Sequence, residues 1–136
     1  MKRIMIMIMI TALALVCLAG PTLSKRKPPK AVAPVTKDGI EYSAPLHRMG
    51  FVVATWMKTK QEIWSRQIYV VKHEYKYGLE RDVQDCFITN LRFADGKLLV
   101  TNERGGEFAL NPDSLEIRVL KGQGVIDYTQ FKPPSQ

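Results

Sequence analysis

Residues 87–120 read FITNLRFADGKLLVTNERGGEFALNPDSLEIRVL, four short apolar runs each closed by a turn signal. Phe87, Thr89, Leu91 and Phe93 alternate with Ile88, Asn90 and Arg92, and side chains two apart share one face of a strand. Asp95-Gly96 then reverses the chain, a dipeptide suited to a tight hairpin whose central residues both need positive φ. Lys97 to Thr101 is the return strand, with Leu98 and Val100 on one face. Asn102 to Gly106 makes a longer turn, in which Gly105 and Gly106 are expected to supply the left-handed positions. Phe108 and Leu110 belong to a third strand, Asn111-Pro112-Asp113-Ser114 to the next turn, and Leu115, Ile117 and Val119 to a fourth. An antiparallel meander is predicted.

Upstream, Gly50 to Trp56 (GFVVATW) is rich in β-branched and aromatic residues, and Met57 to Lys60 is polar enough for a hairpin connection. Glu62 to Lys72 (EIWSRQIYVVK) reads as one longer strand. It has Trp64, Ile68 and Val70 on one face and Ile63, Tyr69 and Val71 on the other, so it is expected to be central and covered on both sides. Ile40 and Tyr42 begin a short strand ended by Pro45, and Val125 to Phe131 add a final one. Residues 73–86 (HEYKYGLERDVQDC) break the pattern: Leu79, Val83, Cys86 and Phe87 fall at helical spacing, which fits a short helix near 79–86 or a loop feeding a bent strand. The fold class is therefore all-β, an antiparallel meander of about six to eight strands.

The N-terminus is different. Met1-Lys2-Arg3 precedes sixteen uncharged residues, Ile4 to Ala19, the pattern of a secretory signal peptide, and short of the roughly twenty residues of a membrane span. Small residues before Gly20 and before Lys25 offer two cleavage frames. The cations that follow the apolar run resist translocation, so the rival to export is a membrane anchor through residues 4–19. Residues 25–38 carry five cations and three prolines without periodicity and read as a basic linker. This divides the chain into a signal peptide (1–24), the linker (25–38), an all-β domain (39–132) and a disordered tail (133–136). The formal charge of +7 sits mostly outside the domain: from Gly39 onward 13 Lys plus Arg stand against 12 Asp plus Glu. No basic stripe for a phosphate backbone follows from that balance, so nucleic acid is not an expected partner. The linker is either a plain spacer or a polybasic contact with the membrane surface.

An internal echo runs through the domain. GFVVATWMKTKQEIW from Gly50 and GEFALNPDSLEIR from Gly106 share a plan at an offset of about 54 residues: Gly, an apolar strand ending near Ala, a polar turn, then Glu-Ile. Ala54, Thr59 and Trp64 resemble the Ala-x-Asp-x-x-Thr-Gly-x-x-x-Trp signature of quinoprotein-type β-propeller blades. Ala109-Leu110-Asn111-Pro112 with Ser114 is similar in weaker form, and Asp95 to Val100 resembles a blade's inner hairpin. Trp56 stands where that family has Asp, Lys60 and Leu115 where it has Gly, and the second copy lacks the closing Trp. The resemblance implies propeller-blade-like hairpins; two blades do not close a propeller, which takes at least about four. No residue matches the family's cofactor site, and no cofactor is expected.

Glu80, Asp82 and Asp85 form the densest acidic patch, without the alternating pattern around a Gly that a Ca²⁺ loop needs. His47, His73 and Cys86 are the soft or borderline ligands of the mature chain and lie at no recognised metal spacing, so no metal site is expected. Once Cys17 is removed, Cys86 has no intramolecular disulfide partner. Tyr75 and Tyr77, in the irregular segment, and Glu103-Arg104, at a turn tip, are the residues most exposed by position. Tyr75, Tyr77, Glu80, Asp82, Asp85, Glu103 and Arg104 are therefore the candidate binding residues, and no catalytic set can be assembled. Two functions are expected from these readings. One is an exported binding or structural module of the cell envelope whose partner is a protein or envelope component. The other is a small envelope hydrolase or redox protein using Cys86 with His47 or His73.

Overall fold

The computed structural model describes residues 26–75 and 80–127. The proposed signal peptide, Lys25, Tyr77, Leu79 and the tail after Asp127 lie outside the described residues. The fold is all-β, with ten strands among the described residues: β1 (Val35–Lys37), β2 (Ile40–Ser43), β3 (Phe51–Trp56), β4 (Glu62–Gln67), β5 (Val70–Lys72), β6 (Ile88–Ala94), β7 (Lys97–Asn102), β8 (Glu107–Leu110), β9 (Ile117–Lys121) and β10 (Val125–Asp127). They form two open four-stranded sheets, β1-β2-β3-β4 and β6-β7-β8-β9, and a two-stranded pair, β5 with β10.

The meander predicted from residues 87–120 is the second sheet. Asp95 and Gly96 turn between β6 and β7 at φ 50° and 72°, as their chemistry predicts. Alternation then places Leu98, Val100, Phe108 and Leu110 on one face, all fully buried. Opposite them lie Tyr42, Val52 and Ala54 of the first sheet, and the two faces together make the core. Tyr42 contacts Phe93 of the second sheet edge-on at 5.1 Å between ring centres, while Tyr69 stacks on Phe108 at 5.5 Å.

The two sheets are built alike. Each opens with an Asp-Gly hairpin, Asp38-Gly39 (φ 52° and 77°) and Asp95-Gly96. Each closes its last hairpin with the same turn. Trp56 N–H donates to Gln61 O and Lys60 N–H to Trp56 O; Asn111 N–H donates to Glu116 O and Leu115 N–H to Asn111 O. Lys60 and Leu115, 55 positions apart, are both left-handed, at φ 60° and 59°. The parallel pair keeps that interval: Val70 faces Val125, Val71 faces Ile126 and Lys72 faces Asp127.

Several expectations need correction. Strand β1 lies inside the segment read as a linker, paired in register with β2 from Val35↔Tyr42 to Lys37↔Ile40. Glu62–Lys72 is two strands in two sheets. Ile68 and Tyr69 are consecutive yet both buried, at 4% and 2% exposure, which strand alternation forbids. Ile68 N–H donates to Gly50 O and Val70 N–H to Gly124 O, so the chain leaves the first sheet at this step. Strand β4 is consequently an edge strand rather than a central one, with Ile63 exposed. The parallel β5–β10 pair is a departure from a purely antiparallel meander. Of the helix near 79–86 the described residues show one 3₁₀ turn, Asp82–Gln84, and its inward residue is Gln84 while Val83 is exposed. In the Asn102–Gly106 turn only Gly105 is left-handed; Gly106 is buried with no room for a Cβ, which would lie 2.7 Å from the Asn102 amide nitrogen.

Candidate binding surface

The turn from Asp82 to Phe87 gathers most of the candidate residues. Gln84 is its keystone. Its amide oxygen accepts from Glu74 N–H at 2.6 Å, and its amide nitrogen donates to Glu74 O at 2.9 Å and to Glu80 O at 3.4 Å. An amide side chain presents the donor and acceptor of a backbone unit, so Gln84 bonds Glu74 as a strand partner would. His73 Nε2 lies 2.7 Å from Asp85 Oδ1. Arg104 donates to Gln84 O at 2.9 Å, and the Tyr69 hydroxyl to Cys86 O at 2.7 Å.

Arg26 completes the arrangement from the other end of the chain. One guanidinium nitrogen donates to Asp82 O and Asp85 O, each at 2.8 Å, and the other to a Glu103 carboxylate oxygen that also accepts from Phe87 N–H. The guanidinium lies over the Phe87 ring, 5.3 Å from its centre. No run of sequence distinguishes Arg26 from Lys25 or Lys27. What selects it is the planar fork of donors that reaches two carbonyls and a carboxylate together, which an ammonium does not match.

Asp82, Asp85, Glu103 and Arg104 are thus brought together, but Asp82 takes part through its backbone carbonyl and Asp85 through its carbonyl and its bond to His73. Glu80 sits exposed at the margin, accepting from Gln84 through its carbonyl. Tyr75 is 89% exposed and stands apart from the cluster's bonds. No group of three or more His, Cys, Asp and Glu among the described residues is placed to hold a metal ion. Cys86 is fully buried, and burial pushes its thiol pKa up, against the thiolate a nucleophile needs. His73 is engaged with Asp85, and His47 is exposed in the connection between β2 and β3. Burial likewise raises the Tyr69 phenol. The chemistry of this cluster is therefore positional: it ties the N-terminal segment and the 73–87 loop to the second sheet.

That tie creates a groove. From Arg26 the chain runs past Lys30 to Val35 and leaves a cleft of about 490 Å³ between residues 30–35 and Phe87 to Leu91, with Glu103 at the rim. Ile88 and Leu91 are its buried apolar residues, and Thr89 and Asn90 are exposed. Thr89 is the extra residue of a β-bulge, its hydroxyl donating to Thr101 O at 3.2 Å. Strand β6 is an edge strand, and among the described residues no other strand bonds its outer side. No protein-family model matches this chain, and no curated protein matches it.

Proposed function

We propose that this chain is an exported, non-catalytic binding module of the cell envelope that takes an extended segment of a partner protein into the groove beside β6. The observation that carries the reading is the open β6 edge, walled by the 30–35 strap and floored by Ile88 and Leu91. An unpaired edge offers a row of N–H and C=O groups to an incoming strand. The flanking pockets then select alternate side chains. The exposed edge is otherwise an aggregation liability, and the strap guards it without filling it. Export is inferred from the basic start and short apolar run of residues 1–19. A blade-like origin of the two sheets is part of the same reading. Its support is that Lys60 and Leu115, where the quinoprotein-type blades have Gly, both adopt the left-handed conformation Gly favours. No quinone chemistry is included.

Selection from a random-peptide library tests the groove. Binders should be extended and β-branched, and should slow amide exchange of residues 88–91. Thr89→Lys with Asn90→Lys, which sets two charges on the exposed residues of the edge, should weaken them. Protection elsewhere, or full binding by that variant, rejects the reading. Intact mass of the cellular species tests export separately: a start at Gly20 or Lys25 supports it, and retention of Met1 to Ala19 supports the anchor.

A further inference from the structure

We infer that the outer face of the second sheet, the side turned away from the core and distinct from the β6 groove, docks on an anionic lipid bilayer surface. Because Leu98, Val100, Phe108 and Leu110 face the core, Lys97, Leu99, Thr101, Glu107 and Ala109 face outward. Cross-strand register extends the row: Arg92 is opposite Leu99, Leu99 opposite Ala109 and Ala109 opposite Arg118, while Lys121 is opposite Glu107. Strands lie about 4.8 Å apart, so Arg92 and Arg118 stand about 14 Å from one another across the face.

Arg92, Lys97, Arg118 and Lys121 are all exposed, and among the described residues none forms an ion pair. Glu107 is the one carboxylate on the strands of this face; Asp95, Asp113 and Glu116 sit in the two turns at one end of the sheet. Lys30 of the strap lines the same cleft as Thr89 and Asn90 at the β6 margin, extending the cationic area toward the N-terminus. Near-neutrality of the domain concealed this, because a sum over sequence does not see which charges a pleated sheet sorts to one side.

Two observations favour a lipid surface over a polyanionic chain. Among the described residues no aromatic side chain lies on the face for bases or sugar rings to stack on, which single-stranded nucleic acid and carbohydrate sites use. Flexible cations spread across a four-stranded sheet face suit a plane of headgroups, where each adds to attraction. Geometry also keeps the sheet close to the membrane. Arg26 is pinned to the body, and the six residues from Gly20 to Lys25 reach at most about 20 Å. While residues 4–19 are in the bilayer, before cleavage or as an anchor, the domain is held within that distance.

The test uses the full chain with Cys17→Ser, so that the dye does not label the apolar run, and insertion of that run, common to both vesicle types, is subtracted by their comparison. A polarity-sensitive dye is placed at Thr101→Cys on the face, or at Ser65→Cys on the outer side of the first sheet. Vesicles of phosphatidylcholine alone are compared with vesicles rich in phosphatidylglycerol. The dye at 101 should shift to the blue on the anionic vesicles only, and the dye at 65 on neither. Replacing Arg92, Lys97, Arg118 and Lys121 together by Gln should remove the shift or demand about tenfold more lipid. An unmoved dye at 101, an equal shift at 65 or on neutral vesicles, or a shift that survives the four substitutions overturns the proposal. So does binding of a DNA duplex with no shift on either vesicle.

Discussion

Gln84 shows how a single side chain can hold an irregular segment in place. The described parts of the loop, residues 73–75 and 80–86, close on one amide that is 1% exposed and bonded to two backbone carbonyls and an N–H. Gln84→Leu keeps the size but takes those partners away, and urea unfolding should show a loss of about 2–3 kcal/mol. Val83→Ala, beside it but exposed, should cost less than about 0.5 kcal/mol. Helical spacing in the sequence points to the opposite result, because spacing registers apolar residues and is blind to the backbone groups a loop must satisfy. A second outcome concerns alkali. Cys86 and Tyr69 are both raised by burial above ordinary values of 9.0 and 10.0. The folded chain therefore keeps protons that the unfolded chain releases, and stability is intact below pH 9 and falls above it. Each group adds a slope of up to about 1.4 kcal/mol per pH unit. Tyr69→Phe should flatten the fall above pH 10 in melts across an alkaline series. It should also cost about 1 kcal/mol at neutral pH, from the bond to Cys86 O.

The hairpins were the most legible part of the sequence. Asp95-Gly96 is flanked by clean alternation, and its turn formed as read. Asp38-Gly39 has the same chemistry and the same geometry, but the prolines and lysines before it masked β1. Strands β4 and β5 run together because Ile68-Tyr69-Val70-Val71 is apolar throughout, and nothing local says that the chain changes partner at Tyr69. The turns at Lys60 and Leu115 yield a prediction of their own. A residue with a Cβ in the left-handed region costs about 1 kcal/mol, so Lys60→Gly should stabilise the protein by several tenths to about 1 kcal/mol. Thermal melts should show a rise of a few degrees, whereas Lys58→Gly should show none. The glycines separate likewise. Gly122, left-handed and with its would-be Cβ 3.1 Å from Gly106 Cα, should tolerate Val worse than Gly124, which is near only the Val119 side chain at 3.9 Å. Equal losses at the two positions would mean this crossing of β7–β8 turn and β9 end is not as tight as described.

Between the two sheets, contacts come from residues far apart in the chain, and composition carries no record of them. Arg26 reaching Glu103 and β5 finding β10 are both of this kind, which is why the groove and its strap were invisible while the meander was plain. Ile126, buried on the core side of the parallel pair, is the residue that seals the body. Ile126→Ala should cost about 2–4 kcal/mol in urea unfolding, more than Val125→Ala on the exposed side. The parallel pair also sets an order of events in time. Each meander joins strands that are neighbours in sequence, and such pairings close quickly. Strands β5 and β10 meet only after both meanders are in place, since 55 positions separate Val70 from Val125 and parallel pairing over that distance pays its loop entropy before any bond is gained. They are the last stitch. Ile126→Ala should therefore speed unfolding and leave the folding rate nearly unchanged, while Leu98→Ala in the second meander slows folding. A chain emerging from a ribosome would, on the same logic, hold both sheets before its end had arrived to fasten them.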